Sequence, residues 1–495
     1  MKNILILEHV RGSSSGMVLS RDIYASQGRA PERGPATSAT RRTFRCFAGR
    51  ELYLRIVLSL LGFCAIPGRA AEVEPHRAPD TNAVQLTPAF VSALVEELST
   101  NHPVLRAVES RVRAASLNTN AVRVWDDPVF SFGGVTASSR GPRLSEDGDL
   151  VYGLEQKLPL FGKAQVARRV AEAESESEAA RFAYQFQLLR RDLTRALFKV
   201  ALADRTVEIS AQDLVWLDTM TATTEARYRV GTATQVELLR IQNERSKRAA
   251  QFRTETSRRD HERLAVNRFL NRDLNSPLPR LDLPSLAAPV PYSQKLVAQA
   301  AAYEPRLGVM RREIRQAEAS VAVTRKARLP EVSAGIEGRQ YSGDGRFREG
   351  MFTVSLSLPW LNRGKYRSDL ARDEARLKAV ELEVADYQLS VSEEVHHLTV
   401  SIDAARREVL LYRDEILPRS QQALENAHAN WTANRAMFND VMEARRMLLE
   451  AQSMHARSLA EQHQLLADLA LLCGAGDLQA IAARDTSAPL PGRKP

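Results

Sequence analysis

The chain has 495 residues, 44% hydrophobic and 6% aromatic, with a net charge of +9, enough to bury a large core or build an elongated assembly of long helices. Residues 1–70 hold eleven Lys or Arg against four acids, so only +2 of that charge remains for residues 71–495. The basic balance belongs to a leader, which removes most of the support for the nucleic-acid reading that the overall charge invites.

The leader ends in the apolar run Ile56–Ile66, preceded by arginines and followed by PGRAAEV. The run is too short to span a bilayer and reads as a signal peptide cleaved near Ala70 or Ala71. Thr40–Arg45 (TRRTFR) resembles a twin-arginine signal, but in so Arg-rich a stretch it reads more as a chance cluster. Phe63 before Cys64 departs from the small residue of a lipoprotein signal. Cys46 and Cys64 both fall in the leader, so the exported chain keeps Cys473 alone and forms no intramolecular disulfide.

Beyond the leader, two halves run in register at an offset of about 200 residues. Pro103 matches Pro305, Pro128 matches Pro330, Pro159 matches Pro359, Gly162 matches Gly364, and the helix break at Gly231 matches one at Asn434. The order and near-constant spacing predict a tandem duplication, with repeats over 86–271 and 301–475. A proline-rich linker over 272–300 joins them, and a loose tail over 476–495 follows.

Each repeat is predicted to open on a helix and continue in a β-hairpin, about 128–158 in the first and 330–358 in the second. Leu150, Tyr152, Leu154 and Leu158 alternate with polar residues, as do Phe352, Val354, Leu356 and Leu358, the period of strands with one apolar face. A long helix follows each hairpin. From Ala164 to Arg229 the run would extend roughly 100 Å at about 1.5 Å per residue. Apolar spacings of 4, 3, 4, 3 from Phe182, and of nearly the same rhythm from Val384, predict helices packed side by side.

Strands with a lipid-facing side cross membranes only as closed barrels, and the smallest such barrels have about eight strands. Four strands per chain must therefore share a barrel with other copies, or else form a small sheet in a soluble protein.

The tips have their own logic. Gly231 permits the positive φ that ends a helix, and Thr234 with Glu237 fits the capping box that starts the next. Asn434 substitutes for the glycine in the second tip, but Met437 stands where Thr234 stood, so that tip lacks the box and its next helix is expected to begin near Asn439.

The YRVGTATQVELL tip, the LPLFGK corner and the twice-repeated order of helix, hairpin, long helix, break and long helix resemble the TolC family of outer-membrane efflux channels, over about Leu86 to Ala475. The resemblance implies a mostly α fold with a membrane β-barrel portion. It implies a homotrimer whose chains each give four strands to a 12-stranded barrel, in the outer membrane of a Gram-negative cell, and long helices to a periplasmic tunnel. It also implies docking onto an inner-membrane pump through a periplasmic adaptor at the tips (Gly231, Thr234, Trp431, Asn434).

The strand-to-helix corners are Pro159, Gly162, Pro359 and Gly364. The family's gate acids match Asp440 and Glu443, with Glu237 their first-repeat counterpart; the plainer account is acids offsetting a helix dipole. The family's tip tyrosine and arginine fall on Trp431 and Ala436, so that latch does not carry over. The rival reading is a periplasmic adaptor or coiled-coil scaffold, which would be expected to have one helical hairpin between lipoyl-like segments. No nucleophile motif, phosphate loop or metal-ligand spacing calls for an enzyme or a cofactor.

Overall fold

The computed structural model describes residues 83–122, 124–136, 148–341 and 345–475; the leader, the C-terminal tail, most of the first hairpin loop expected from the sequence and the start of the second lie outside them. The first repeat opens with strand β1 (Ala83–Gln85) and helices α1 (Pro88–Asn101) and α2 (Pro103–Ala121). Pro103 disfavours helix at the residue before it and sets a new first turn. His102 Nδ1 accepts from the Val104 N–H at 3.2 Å to cap that turn.

The hairpin β2 (Val129–Thr136) and β3 (Gly148–Leu158) leads into α3 (Lys163–Arg229), 67 residues long, and α4 (Gln235–Phe269). The second repeat retraces this plan. It runs through α5 (Gln294–Tyr303), α6 (Pro305–Ala327), β5 (Val332–Tyr341), β6 (Phe347–Leu356) and α7 (Arg363–Leu411), then α8 (Leu417–Thr432) and α9 (Phe438–Leu472). Where α3 runs unbroken, α7 and α8 are separated by a π-helical turn, Tyr412–Ile416. Pro418 follows it and cannot donate to the helical ladder.

The proline-rich stretch is less bare than expected. Within it β4 (Arg280–Asp282) pairs in parallel with β1, and α5 already begins at Gln294. The buried Asp204 carboxylate on α3 pins this strand, accepting the Leu281 N–H at 3.0 Å while pairing with Arg263 of α4 at 2.9 Å. Burial nonetheless holds its pKa above the usual aspartate value.

Three apolar clusters follow the repeat plan. One joins α1, the middle of α3 and the end of α4; its counterpart joins α5, α7 and the end of α9; the third lies near the tips. The four hairpin strands form one antiparallel sheet in the order β2-β3-β5-β6, so β2 and β6 are open edges. The helices form an open layer as well: α3 packs on α4 and α9, and α9 on α7 and α8. Among the described residues no helix is long and apolar enough to cross a membrane.

Candidate functional site

Register gives the sheet two unlike faces. Phe130, Leu154, Ile336 and Phe352 are consecutive cross-strand partners, and all four are 45–70% exposed. An apolar row lying open across every strand is stable only if lipid or a partner covers it. The opposite face carries Glu155, held by the Ser333 hydroxyl, and Arg339, which pairs with Glu349 at 3.2 Å.

At the first corner Phe161 and Gly162 both take positive φ, 61° and 69°, turning the chain from β3 into α3. Pro159 opens this turn. Lys163 fastens it to Glu331 at 3.2 Å, just before β5. The second corner is built differently. A 3₁₀ turn, Pro359–Asn362, does the turning, and Gly364 already lies in the first turn of α7 with no positive φ. The matching glycines are therefore not equivalent in conformation.

The tips follow one design. Gly231 takes φ 75° and a β-carbon there would meet nothing within 4 Å, so glycine is needed for backbone conformation and not for space. The Thr232 N–H reaches back to the Arg227 carbonyl at 2.9 Å, and the Arg435 N–H to the Asn430 carbonyl at 2.7 Å around Asn434 at φ 57°. Both are the closing bond of a Schellman turn.

Thr234 and Glu237 form the complete capping box, with reciprocal bonds of 3.3 and 3.0 Å. In the second tip half of that box survives. The Asp440 carboxylate accepts the Met437 N–H at 3.1 Å, while the methionine side chain offers no oxygen in return. Phe438, 2% exposed, anchors that end, so α9 starts one residue earlier than the sequence suggested.

The candidate gate acids are thus partly committed. Asp440 caps its own helix, and Glu443 pairs with Arg446 at 3.3 Å, both exposed, an interaction worth little in water. Trp431 is 3% exposed and packs 5.7 Å from the Phe438 ring, which withdraws it from any docking surface. The exposed apolar residues of the tips include Tyr228, Val230, Val236, Leu239 and Met437.

Sequence reasoning missed the cross-repeat contacts. Asp213 on α3, 2% exposed, receives Arg248 of α4 at 2.7 Å and Arg445 of α9 at 2.8 Å. The Arg445 guanidinium also lies 4.8 Å from the Trp216 ring centroid. The signal was present: Asp213, Leu217, Met220 and Thr224, at steps of 4, 3 and 4, share one buried stripe of α3, and a carboxylate at a core position requires a partner.

A helical layer standing on an amphipathic sheet, both open at their edges, is the layout of a membrane channel subunit. The profile of the family described as "Outer membrane efflux protein" matches residues 94–271 and 296–475, and the chain belongs to that family. No curated protein sequence matches.

Among solved structures the chain is similar to the outer-membrane channel OprN, at 19% identity and TM-score 0.68 over 78% of this chain and 90% of that one. It is similar to VceC of Vibrio cholerae at 17% identity and TM-score 0.66, over 78% and 96% of the two chains. It is also similar to the CmeC outer membrane channel of Campylobacter jejuni, at 14% identity and TM-score 0.66, over 81% and 90%. At these identities the likeness speaks for the fold.

Proposed function

We propose that this chain is the outer-membrane exit duct of a tripartite efflux or secretion system, a passive homotrimer that receives cargo from an inner-membrane pump through a periplasmic adaptor. The observation that carries the reading is the open sheet: one face apolar across all four strands, with unpaired edges at β2 and β6. Backbone groups at such edges cannot remain unpaired in hydrocarbon. Pairing β6 of one copy with β2 of the next satisfies them, and three copies give a ring of twelve strands. The same operation sets the open edge at α4 against α7 and α8 of a neighbour, closing the helices into a tunnel.

At the mouth of that tunnel, Asp440 and Glu443 of three chains would bring six carboxylates together and favour cations. Glu237, occupied by its capping box, contributes to helix termination first. Gly231, Thr234 and Asn434 shape the tips, and Val230, Val236, Leu239 and Met437 offer the adaptor an apolar surface.

The test of the duct is whether a heat-sensitive oligomer sediments with outer membranes; a soluble monomer would overturn it. For the gate, Asp440→Asn with Glu443→Gln should lower cation preference in planar bilayers, and unchanged selectivity would remove the acids from that role.

A further inference from the structure

Where the sheet meets the helices, a cavity of about 740 Å³ lies among the end of α2, the first corner, the start of α3, the end of α6 and the start of β5. Its volume falls within the roughly 300–1,000 Å³ of ligand pockets. Part of its wall continues the apolar face of the sheet. Leu158 and Val332 are register partners four residues along from Leu154 and Ile336, hence on the same side of their strands, and both line the cavity. Trp125 and Leu160, exposed apolar residues, line it as well.

Elsewhere the lining turns charged. Among the described residues it holds Lys157, Lys163 and Lys326 with Asp126, Asp127 and Glu331, three charges of each sign. Lys163 pairs with Glu331 at 3.2 Å, and Lys157 reaches Asp126 only at 3.9 Å with both side chains exposed, a contact worth little in water. Lys326, in the last turn of α6, has no ion-pair partner among the described residues.

An apolar strand face, then a tryptophan, then a cavity of balanced charge is the order of a glycerophospholipid taken from its chains to its headgroup. We propose that this cavity seats the headgroup of a glycerophospholipid bearing a primary ammonium, its acyl chains lying on the apolar row; the inference rests on the duct reading, which puts that row in lipid. Lys326 donates to the phosphate, with Lys163 beside it. The ammonium donates to Asp126 and Glu331, bonds that a quaternary ammonium, having no N–H, cannot make. Equal numbers of lysines and carboxylates suit a zwitterion, because a net anion would meet repulsion from the acids.

The experiment is native mass spectrometry of the delipidated oligomer in detergent, titrated with dioleoylphosphatidylethanolamine, with dioleoylphosphatidylcholine, and with glycerophosphoethanolamine, the same headgroup without chains. The ethanolamine lipid should bind saturably, one per chain, and the choline lipid about tenfold more weakly, the loss of one charge-assisted bond. The soluble headgroup should not bind at the concentrations that saturate the lipid. Lys326→Gln should weaken the ethanolamine lipid about tenfold by the same measure. Lys365→Gln is the control and should bind as wild type. Lys365 is the second-repeat match of Lys163, but it lies 5.8 Å from the Tyr366 ring centroid and is not part of the cavity lining.

Equal binding of the two lipids, wild-type binding by Lys326→Gln, or an equal loss in Lys365→Gln overturns the headgroup site. Binding of glycerophosphoethanolamine as tightly as the lipid also overturns it, since the site would then serve a soluble phosphate ester. Should Lys326→Gln fail to assemble, Asp126→Asn carries the same expectation and the same refutation. The duct reading fails separately: an oligomer that does not sediment with outer membranes sinks the duct, whereas one that does so yet binds both lipids alike sinks only the headgroup site.

Discussion

Replacing Asp213 with asparagine keeps the shape of the side chain and removes the charge that two arginines share. Both contacts are close, 2.7 Å to Arg248 and 2.8 Å to Arg445, and a hydrogen bond to a charged group is worth about 1.5–3 kcal/mol. The carboxylate side chain is 2% exposed, whereas the arginine side chains are 19% and 12% exposed. Water can therefore rehydrate the cations in part, which favours the low end of each value. Two such bonds give about 3 kcal/mol per chain, at the lower bound of what removing one partner of a buried ion pair costs.

Unfolding entropy of about 2 cal/mol/K per residue, over the roughly 380 described residues, gives about 0.8 kcal/mol/K. Asp213→Asn should then lower Tm by about 4 °C. Circular dichroism melts of the detergent-solubilised oligomer, at two scan rates to expose irreversibility, measure the shift. Asp218→Asn is the comparison, because that exposed carboxylate pairs with Arg245 on the same helical hairpin and an exposed pair contributes about 0–1 kcal/mol. A Tm within 1 °C of wild type for Asp213→Asn, or equal shifts in the two variants, would refute burial as the source of the effect.

Ile336→Arg puts a cation in the middle of the apolar row and should cost about 2–4 kcal/mol if that row faces the bilayer midplane; insertion into lipid vesicles, followed by the heat-sensitive band, reads it, and normal insertion would move the lipid face elsewhere. Gly231→Ala meets no neighbour but forces an L-residue into the left-handed region, at about 1–2 kcal/mol. Amide exchange should quicken at the first tip while Tm of the whole oligomer changes little.

Stability should also fall as pH drops below about 6.5, the unfolded histidine value. Burial holds the pKa values of His463, His102 and His455 below it, so the unfolded chain binds more protons there and folding loses stability with acid. His463→Gln should flatten that limb of a pH-stability curve; an unchanged slope would exclude it as a contributor. Nearer pH 4–5, the raised pKa values of Asp204 and Glu304 act in the opposite direction.

The repeat, the strands and the tips were legible because each rests on local chemistry. Alternation in LVYGLEQKL needs only the pleat of a strand, and the Thr234–Glu237 box only three residues of helix. What stayed hidden depended on partners far along the chain. Nothing near Trp431 announces that Arg227, 204 positions earlier, will cover it, so an aromatic at a loop apex looked exposed. The second corner misled for a related reason: Gly364 aligns with Gly162, but turning is done there by Pro359–Asn362, and a glycine without positive φ carries no conformational message.

Asp440 and Glu443 show why position alone ranks charged residues poorly. Both are where a ring of acids would be expected, yet one oxygen of Asp440 satisfies the Met437 N–H, and Met437 cannot supply the side-chain half of the box. Neutralising Asp440 therefore does two things, removing a pore charge and weakening the start of α9. Glu443 has no capping duty and only an exposed partner, Arg446. Any selectivity change produced by Glu443→Gln alone can be assigned to charge, whereas the Asp440→Asn component must be corrected for loosening of the second tip. Asparagine still offers a carbonyl oxygen to the Met437 N–H, which makes it a cleaner replacement than alanine. If alanine and asparagine at 440 shift selectivity equally, pore charge is the operative property; if alanine alone does so, the residue acts by shaping the turn.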